Sequence, residues 1–397
     1  MKSDKINLRF GALEFLMNFA YPMFFSYMVM YFRQYGHSES RIGIILSIAT
    51  AGLMFSQIAS GYLSDSRISV KKIVLFHMAA SAVCAVLIIV FKNAAILAIF
   101  LYIVGSFTGR TLTSLLDSYV TKLSAKRSKL NFGVVRGFGS MGFAISAVLA
   151  GIIVNQLGFS LSFAIHAAAM AVGLLLCLKA EDVPVAHKSA GESVSFFKAA
   201  SELLRHKPFM LALLASLVTY IGSTIHSGFL ALVIVDVGGS SASLGIGLFL
   251  MAGSEAPVMW NYYRLMRRFT EEQLLMFSFI MYCVKIILIM LFYNVIGVVL
   301  LQAMQAITFA LFLPSMIRYL GKIIPDRLLA SSIMLWSSVY GGGSGIIASL
   351  IGGFVIEKYG IMVAHFVALA FCAVGAAIMA YKLITEGKSP HIANNRL

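Results

Sequence analysis

Asp117 and Arg136 are opposite charges set inside two apolar runs that flank a basic turn, in the stretch TGRTLTSLLDSYVTKLSAKRSKLNFGVVRGFGSMG, Thr108 to Gly142. An ionisable group at a helix centre in hydrocarbon costs at least about 2.5 kcal/mol, so it faces a partner or a water-filled cavity. The turn is centred between Lys126 and Arg127, and the two charges lie almost equally far from that centre. An antiparallel pair of helices therefore puts them at one depth, where they can pair. Arg110 comes two helical turns before Asp117, which returns it to nearly the same face roughly 10 Å deeper. The result is one polar face inside a membrane. A carboxylate and guanidinium groups on such a face can hold a polar solute by charge-assisted hydrogen bonds and can exchange protons.

A second pair lies further on. Glu255, in MAGSEAP, is near the middle of its apolar run and just before Pro257, which weakens the helix and frees a carbonyl. Lys285 is the only charge of the next run, and the charged turn RRFTEEQ lies midway between the two. They are expected at equal depth as a functional or structural ion pair, because an extended lysine side chain reaches only about 6 Å, too little to snorkel out. Glu14, in the first run, has two open readings: a cavity-facing acid, or a structural partner of an adjacent basic loop. His226 follows Thr219, Tyr220, Ser223 and Thr224, a polar stripe suited to a substrate passage. His166 sits among alanines and reads as a packing residue, and His77 near the start of its helix carries no expected role.

The elements that must position these groups follow from composition. Of 397 residues, 60% are hydrophobic and only 12% charged, with a mean hydropathy of +0.90. A soluble domain is about 25% charged, so this is a polytopic membrane protein. Runs of spanning length fall near 8–32, 40–63, 72–91, 94–118, 133–156 and 159–179, then 208–232, 242–266, 273–293, 295–318, 328–355 and 361–382. With the N-terminus placed in the cytoplasm, every inside segment is rich in Lys and Arg, and outside segments carry only Arg33, Arg41, Lys92 and Lys358. The positive-inside rule then puts both termini in the cytoplasm. The formal charge of +15 is topology and attraction to anionic lipid, not a nucleic-acid surface.

Six spans plus six imply an all-α membrane protein of two pseudo-symmetric six-helix bundles, 1–179 and 208–384. A cytoplasmic linker, 180–207, joins them, and a cytoplasmic tail, 385–397, follows. Phe196, Phe197, Ala200 and Leu203 are spaced for one face of a short surface helix in the linker. The halves look related: GIIVNQLG at 151–158 and GFVIEKYG at 353–360 end the fifth and eleventh spans, and the same offset lays Gly139 over Gly341, so that the small-residue run Gly137 to Gly142 overlaps the run Gly341 to Gly345. Small residues let membrane helices approach closely, so these two helices are expected to form part of the contact between bundles. Cys84, Cys177, Cys283 and Cys372 fall in apolar interiors without CxxC spacing and read as buried free thiols. There is no HExxH, GxSxG or P-loop pattern, so neither an enzyme, a metal site nor a cofactor is expected.

The loop GYLSDSRISVKK, Gly61 to Lys72, resembles the signature loop of the major facilitator superfamily, G-x-L-x-D-R-x-G-R-K/R. Gly61, Leu63, Asp65, Arg67, Lys71 and Lys72 carry the resemblance, with the basic residue after Asp65 displaced by one and the second glycine absent. The resemblance makes Gly61, Asp65, Arg67, Lys71 and Lys72 a conformational switch, an acid and cations that pair across to a neighbouring helix end in one state and release in the other. More narrowly, DSYVTKLSAKRSKLNFGVVRGFG is similar to the helix-four to helix-five segment of the lactose permease group, the oligosaccharide:proton symporters. The opening FGALEFLMNFAYPMFFSYMVMYF and the SFFKAASELLRHKPF segment are similar as well.

That likeness implies that Asp117, Arg136, Phe143 and Glu255 bind a sugar-like substrate, with Arg110 and His226 alongside, and that Glu255, Lys285, Asp117 or Glu14 carries proton coupling. The group's helix-ten His and Glu have no counterparts here, where Gln305 and Thr308 stand, and its stacking Trp is matched by Phe143. The expected function is proton-coupled import of a small hydrophilic solute, a sugar or glycoside, by alternating access. The alternative is a proton antiporter of the same superfamily that exports drugs or metabolites, although its G-x-x-x-G-P-x-x-G-G motif is absent from helix five. The expected partners are substrate, protons and the lipid bilayer, for a monomer in a bacterial plasma membrane.

Overall fold

The computed structural model describes residues 2–92, 94–124, 130–183 and 196–387. Among the described residues, twelve helices are long and apolar enough to cross a membrane: α1 Ile6–Gln34, α2 Glu39–Ser64, α3 Val70–Val90, α4 Ala95–Ser124, α5 Phe132–Leu157, α6 Phe159–Leu178, α7 Lys207–Gly228, α8 Ser241–Leu265, α9 Glu271–Leu291, α10 Val295–Ile323, α11 Arg327–Tyr359 and α12 Ile361–Thr385. Their order matches the spacing of the apolar runs, and no strand occurs among the described residues. The basic turn around Lys126 and Arg127, most of the linker and the tail from residue 388 lie outside the described residues, as do the side chains of Asp65, Phe196 and Phe197.

Polar residues at the helix starts explain the boundaries. Asn131 accepts a 3.1 Å bond from the Val134 amide at the start of α5, and Thr270 and Gln273 form a reciprocal capping box at α9. The related ends GIIVNQLG and GFVIEKYG both close on a glycine in the left-handed region, Gly158 at φ 83° and Gly360 at φ 85°, a conformation that favours glycine. Several spans are not regular. Pro22–Ser26 in α1 and Ser338–Gly343 in α11 are π-helical, α10 tightens to a 3-10 helix over Leu301–Ala306, and α4 breaks at Arg110 between Ala95–Gly109 and Leu112–Ser124. Such departures from α geometry occur often at functional sites.

The chain forms two compact units. The first holds residues up to Gly191 with Phe229–Gly253 and Asn294–Gln302; the second holds Glu192–Gly228, Ser254–Tyr293 and Ala303–Leu397. In the first, Phe10, Leu13, Met17, Leu116, Tyr119, Val135 and Met170 form the core. Here α1 crosses α5 closely: a Cβ on Gly142 would collide with the Phe15 carbonyl, and one on Gly139 would lie 2.7 Å from Asn18 Nδ2. Gly139 and Gly142 therefore serve a contact with α1, whereas a Cβ on Gly151 would lie 2.5 Å from the Ser241 carbonyl at the start of α8, and one on Gly137 or Gly341 would meet nothing within 4 Å. Further along, the Tyr27 hydroxyl donates to the Ala147 carbonyl at 2.8 Å and Ser241 Oγ to the Gly151 carbonyl at 2.9 Å.

Two buried histidines tie this unit together. His166 donates through Nδ1 to the Ala20 carbonyl and accepts from Ser81 Oγ, a satisfied packing residue. His77, expected to carry no role, does the same work, donating to the Thr108 carbonyl at 2.9 Å and accepting from Ser60 at 3.1 Å. It joins α2, α3 and α4, since each of its ring nitrogens finds a partner in the chain.

In the second unit α7 and α12 approach as closely, because Gly222 lies against the Ala368 carbonyl and Gly375 against Thr219. Its core contains Phe209, Phe279, Phe312 and Trp336, and the Trp336 indole donates to Ser216 Oγ at 3.0 Å. The linker forms a helix over Phe196–Arg205, with Leu203 buried and Glu202 ion-paired to Arg327. Cys84, Cys177, Cys283 and Cys372 are free, and only Cys283 is not fully buried.

Candidate functional site

Three helices of the first unit each bring a stripe of polar and aromatic groups to one place. On α1 the stripe is Glu14, Asn18, Tyr21 and Phe25, spaced three or four residues apart and so on one face. On α5 it is Arg136, Gly139 and Phe143, and on α4 it is Arg110 and Asp117. Arg136 stands between two acids: Nη1 is 3.6 Å from Glu14 Oε2 and Nε is 3.7 Å from Asp117 Oδ1. Asn18 Nδ2 donates to the same Glu14 oxygen at 2.9 Å. Gly139 makes room for this, since a Cβ there would lie 2.9 Å from Glu14 Oε2.

Exposure grades across the cluster. Glu14 is buried at 1% of its side-chain surface, whereas Asp117 and Arg136 retain 33% and 39%. Asp117 Oδ1 is buried with no hydrogen-bond partner despite its charge contact with Arg136. A single guanidinium thus faces two carboxylates, one sealed and one half-open. That arrangement can offer donors and an acceptor to hydroxyl groups, and it lacks one positive charge that a proton can supply.

Two turns before Asp117, the Arg110 side chain is hydrogen-bonded to the Tyr21 hydroxyl and lies near Tyr102. The Tyr21 ring also stands 6.0 Å from that of Phe143 and 5.1 Å from that of Phe25. Tyr21 therefore brings Arg110 and Phe143 into one cluster, at the entry to the π-helical turn that begins with Pro22.

The second unit carries its own buried charges. Lys285, 6% exposed, directs Nζ to Gln305 Oε1 at 3.5 Å, and Glu255 is hydrogen-bonded to the same amide. Gln305, in the 3-10 turn of α10, thus contacts both members of the expected ion pair, whose charges also interact with each other. Tyr282 donates to the Tyr220 hydroxyl at 3.2 Å beside this group, and Tyr220 packs on Tyr340 of the π-helical segment in α11. His226 belongs to a different cluster. It is 2% exposed, and its Nδ1 lies 3.1 Å from Nε2 of His365 on α12.

Residues 9–367 match the MFS_1 like family. The chain belongs to that family of major facilitator transporters. It is similar to the maltose permease of Geobacillus stearothermophilus, 24% identical over 353 residues that cover 88% of each chain. It is also similar to the uncharacterised transporter YwbF of Bacillus subtilis (strain 168), 23% identical over 372 residues, 91% of this chain and 89% of the other. Among solved structures, a variant of the nucleoside transporter NupG superposes with a TM-score of 0.82 at 17% identity, covering 96% of this chain and 99% of that one. An auto-inhibited POT family peptide transporter superposes with a TM-score of 0.74 at 12% identity, covering 99% of both. The protein is thus a multi-pass membrane transporter of the major facilitator fold and not an enzyme.

Around the signature loop of the transporter, the helix of α2 continues past the span to Ser66, so that Gly61 and Asp65 lie in its last turns and Arg67 caps its end. Lys71 donates to the carbonyls of Leu178 and Ala180 at 2.9 and 2.8 Å, and Arg9 donates to that of Lys179 at 2.8 Å. Both cations sit where the α6 dipole is negative and its last carbonyls lack helical partners. Lys72 starts α3, its amide pointing at Ser69, and Lys122 Nζ donates to Ser64 at 3.2 Å. Asn18, Tyr21 and His365 were not singled out by residue type, and Gln305 only as standing where the permease group has an ionisable residue. The first two were findable from their helical spacing to Glu14; Gln305 and His365 depend on partners that only the fold supplies.

Proposed function

We propose that this transporter imports a small hydroxylated solute together with a proton. Sugars, glycosides and nucleosides are the classes we favour. The observation that carries the reading is Arg136 held between Glu14 and Asp117, with a third or more of the Arg136 and Asp117 side chains left open. A neutral polyol matches half-open donors and acceptors of both kinds, and an aromatic ring such as Phe143 can cover its apolar face. The maltose permease likeness and the fold shared with a nucleoside transporter support the same classes.

In this reading solute binds at Asp117, Arg136 and Phe143, with Arg110 and Tyr21 behind it, and the proton fills the charge deficit of Glu14 and Asp117. Glu255 and Lys285, coupled through Gln305, form a second charge-compensated station whose contribution to coupling is equal in kind. His226 is given a structural part by its pairing with His365. The bodies that rock are the bundles 1–179 and 208–384, with both termini in the cytoplasm of a bacterial cell, the protein acting as a monomer, and Gly61, Asp65, Arg67, Lys71 and Lys72 forming the switch.

The test is solute-driven proton uptake in proteoliposomes containing an entrapped pH dye, run over maltose, other disaccharides and nucleosides. Acidification of the lumen by at least one class supports the proposal. No coupled proton entry with any of them, together with proton-driven extrusion of lipophilic cations, assigns the chain to the exporters instead.

A further inference from the structure

Of the intramembrane charges named above, all but one have an opposite charge beside them. Glu14 and Asp117 share Arg136, and Glu255 interacts with Lys285. Arg110 stands apart. It lies at the midpoint of α4, where the helix breaks, and among the described residues no carboxylate pairs with it. Its neighbours are the phenols of Tyr21 and Tyr102, which carry no charge at neutral pH. A guanidinium has five N–H donors and keeps its proton in proteins, so two phenol oxygens leave donors unused and the charge uncompensated. Tyr102 is buried, whereas Arg110 and Tyr21 are half-buried, which leaves the cation within reach of a solute.

One role for Arg110 without a ligand is to balance the second acid of the Arg136 cluster. Asp117 is two turns away along α4, about 10 Å, where the attraction is less than half that of a contact pair. A closer anion would displace so weak a partner. An arginine at mid-membrane depth is costly, and such residues mark solute and ion paths.

We infer that the transported solute bears one carboxylate beside its hydroxyls, as a sugar acid or a uronide does, and that Arg110 receives it. This rests on the solute site proposed above, where the hydroxyls lie at Asp117 and Arg136. The acid end then reaches deeper to the Arg110 fork, which matches a carboxylate by two parallel N–H···O bonds. Charge balance favours a single acid. The two acids Glu14 and Asp117 and the two cations Arg110 and Arg136 sum to zero when all are ionised. A neutral solute entering with a proton leaves the site with one positive charge, whereas a monoanion entering with a proton keeps it neutral. A phosphate monoester, at about −1.5 to −2, overshoots that balance. Once a carboxylate occupies Arg110, the deficit at Glu14 and Asp117 is the one the proton fills.

The experiment is equilibrium binding to the purified full-length protein in non-ionic detergent. Matched probes are methyl glucuronide, its methyl ester and methyl glucoside, with the galactose series, maltose and adenosine measured beside them. Within a series the ring is shared and only the group at one carbon changes. The expected result is that a uronide binds at least about tenfold tighter than its own ester and glycoside. Arg110→Gln should abolish that difference, and Arg110→Lys, which keeps the charge without the fork, should retain part of it. The comparison of uronide with ester uses the unaltered protein and needs no variant to fold. Neutral probes bound as tightly as the uronides would overturn this inference and leave the solute site standing. Binding of no probe, acidic or neutral, would overturn both together. A preference for the uronide that survives undiminished in Arg110→Gln would place the acid elsewhere and overturn the assignment to Arg110.

Discussion

Arg136 Nη1 lies 3.6 Å from Glu14 Oε2, while Nε of the same guanidinium lies 3.7 Å from Asp117 Oδ1. One planar cation thus joins α1, α4 and α5 through two different edges. A lysine at this position keeps the charge but concentrates it at a single point that cannot serve two separated carboxylates. Arg136→Lys is therefore expected to fold and reach the membrane, yet to weaken solute binding at least tenfold, about 1.4 kcal/mol. Equilibrium binding on the purified variant checks this; unchanged affinity would remove Arg136 from the substrate site.

The approach of α1 to α5 depends on a missing side chain. At Gly139 a Cβ would lie 2.7 Å from Asn18 Nδ2 and 2.9 Å from Glu14 Oε2, whereas at Gly137 it would meet nothing within 4 Å. Gly139→Ala should push the Glu14–Asn18 pair away from Arg136, costing about 1–3 kcal/mol as overpacked sites do. Gly137→Ala, on the same helix, should leave stability equal or slightly raised, because alanine is the better helix former. Melting temperature and initial uptake rate, measured side by side, separate the two. Equal behaviour of both variants would mean that this crossing does not set the geometry of the charges.

Much of this was legible in the residues. Apolar runs of spanning length and the distribution of Lys and Arg are consequences of the bilayer itself, so twelve spans could be read from spacing alone. The equal depth of Asp117 and Arg136 followed from their distances to one turn. What spacing could not supply was rotation of one helix about its axis relative to another, and that decides partners. Glu14 had two open readings until α1 was seen to turn it toward Arg136. Lys285 and Glu255 were placed at one depth, but whether they touch depends on what stands between them, and Gln305 arrives there from a third helix. The α5 glycines carried a true signal of close approach, but a small-residue stripe does not name the helix that packs on it: Gly139 and Gly142 face α1, and Gly151 faces the start of α8.

Gln305 makes a sharper prediction than either charge it joins. Its amide accepts from Lys285 and bonds to Glu255, and Lys285 is almost fully buried. Gln305→Leu fills similar volume but leaves the ammonium without that acceptor, which should cost about 1–3 kcal/mol and lower coupled uptake. Gln305→Glu restores an acceptor for Lys285 while placing a second carboxylate beside Glu255. It is expected to recover stability without recovering uptake. A Gln305→Leu protein as stable as the parent would show that Lys285 is satisfied elsewhere.

His226 and His365 pair α7 with α12 where these helices are most closely packed. His365 Nδ1 lies 3.1 Å from the Ile361 carbonyl, which can only accept, so that nitrogen carries the proton. With His365 neutral, its Nε2 is then an acceptor, and the bond to it must come from a protonated His226 Nδ1. The pair is directional, and replacing either ring leaves the other with one lost partner in a buried site. His226→Phe and His365→Phe should each destabilise the protein, and the double variant should cost less than the sum, with a coupling of about 0.5–1.5 kcal/mol. Neither change should alter solute affinity, because both rings are buried and bonded to each other. Melting of the four proteins in a double-mutant cycle, with binding measured on each, checks both parts. Additive destabilisation would show that the 3.1 Å contact contributes nothing to stability. A loss of affinity with unchanged melting would return His226 to the substrate passage.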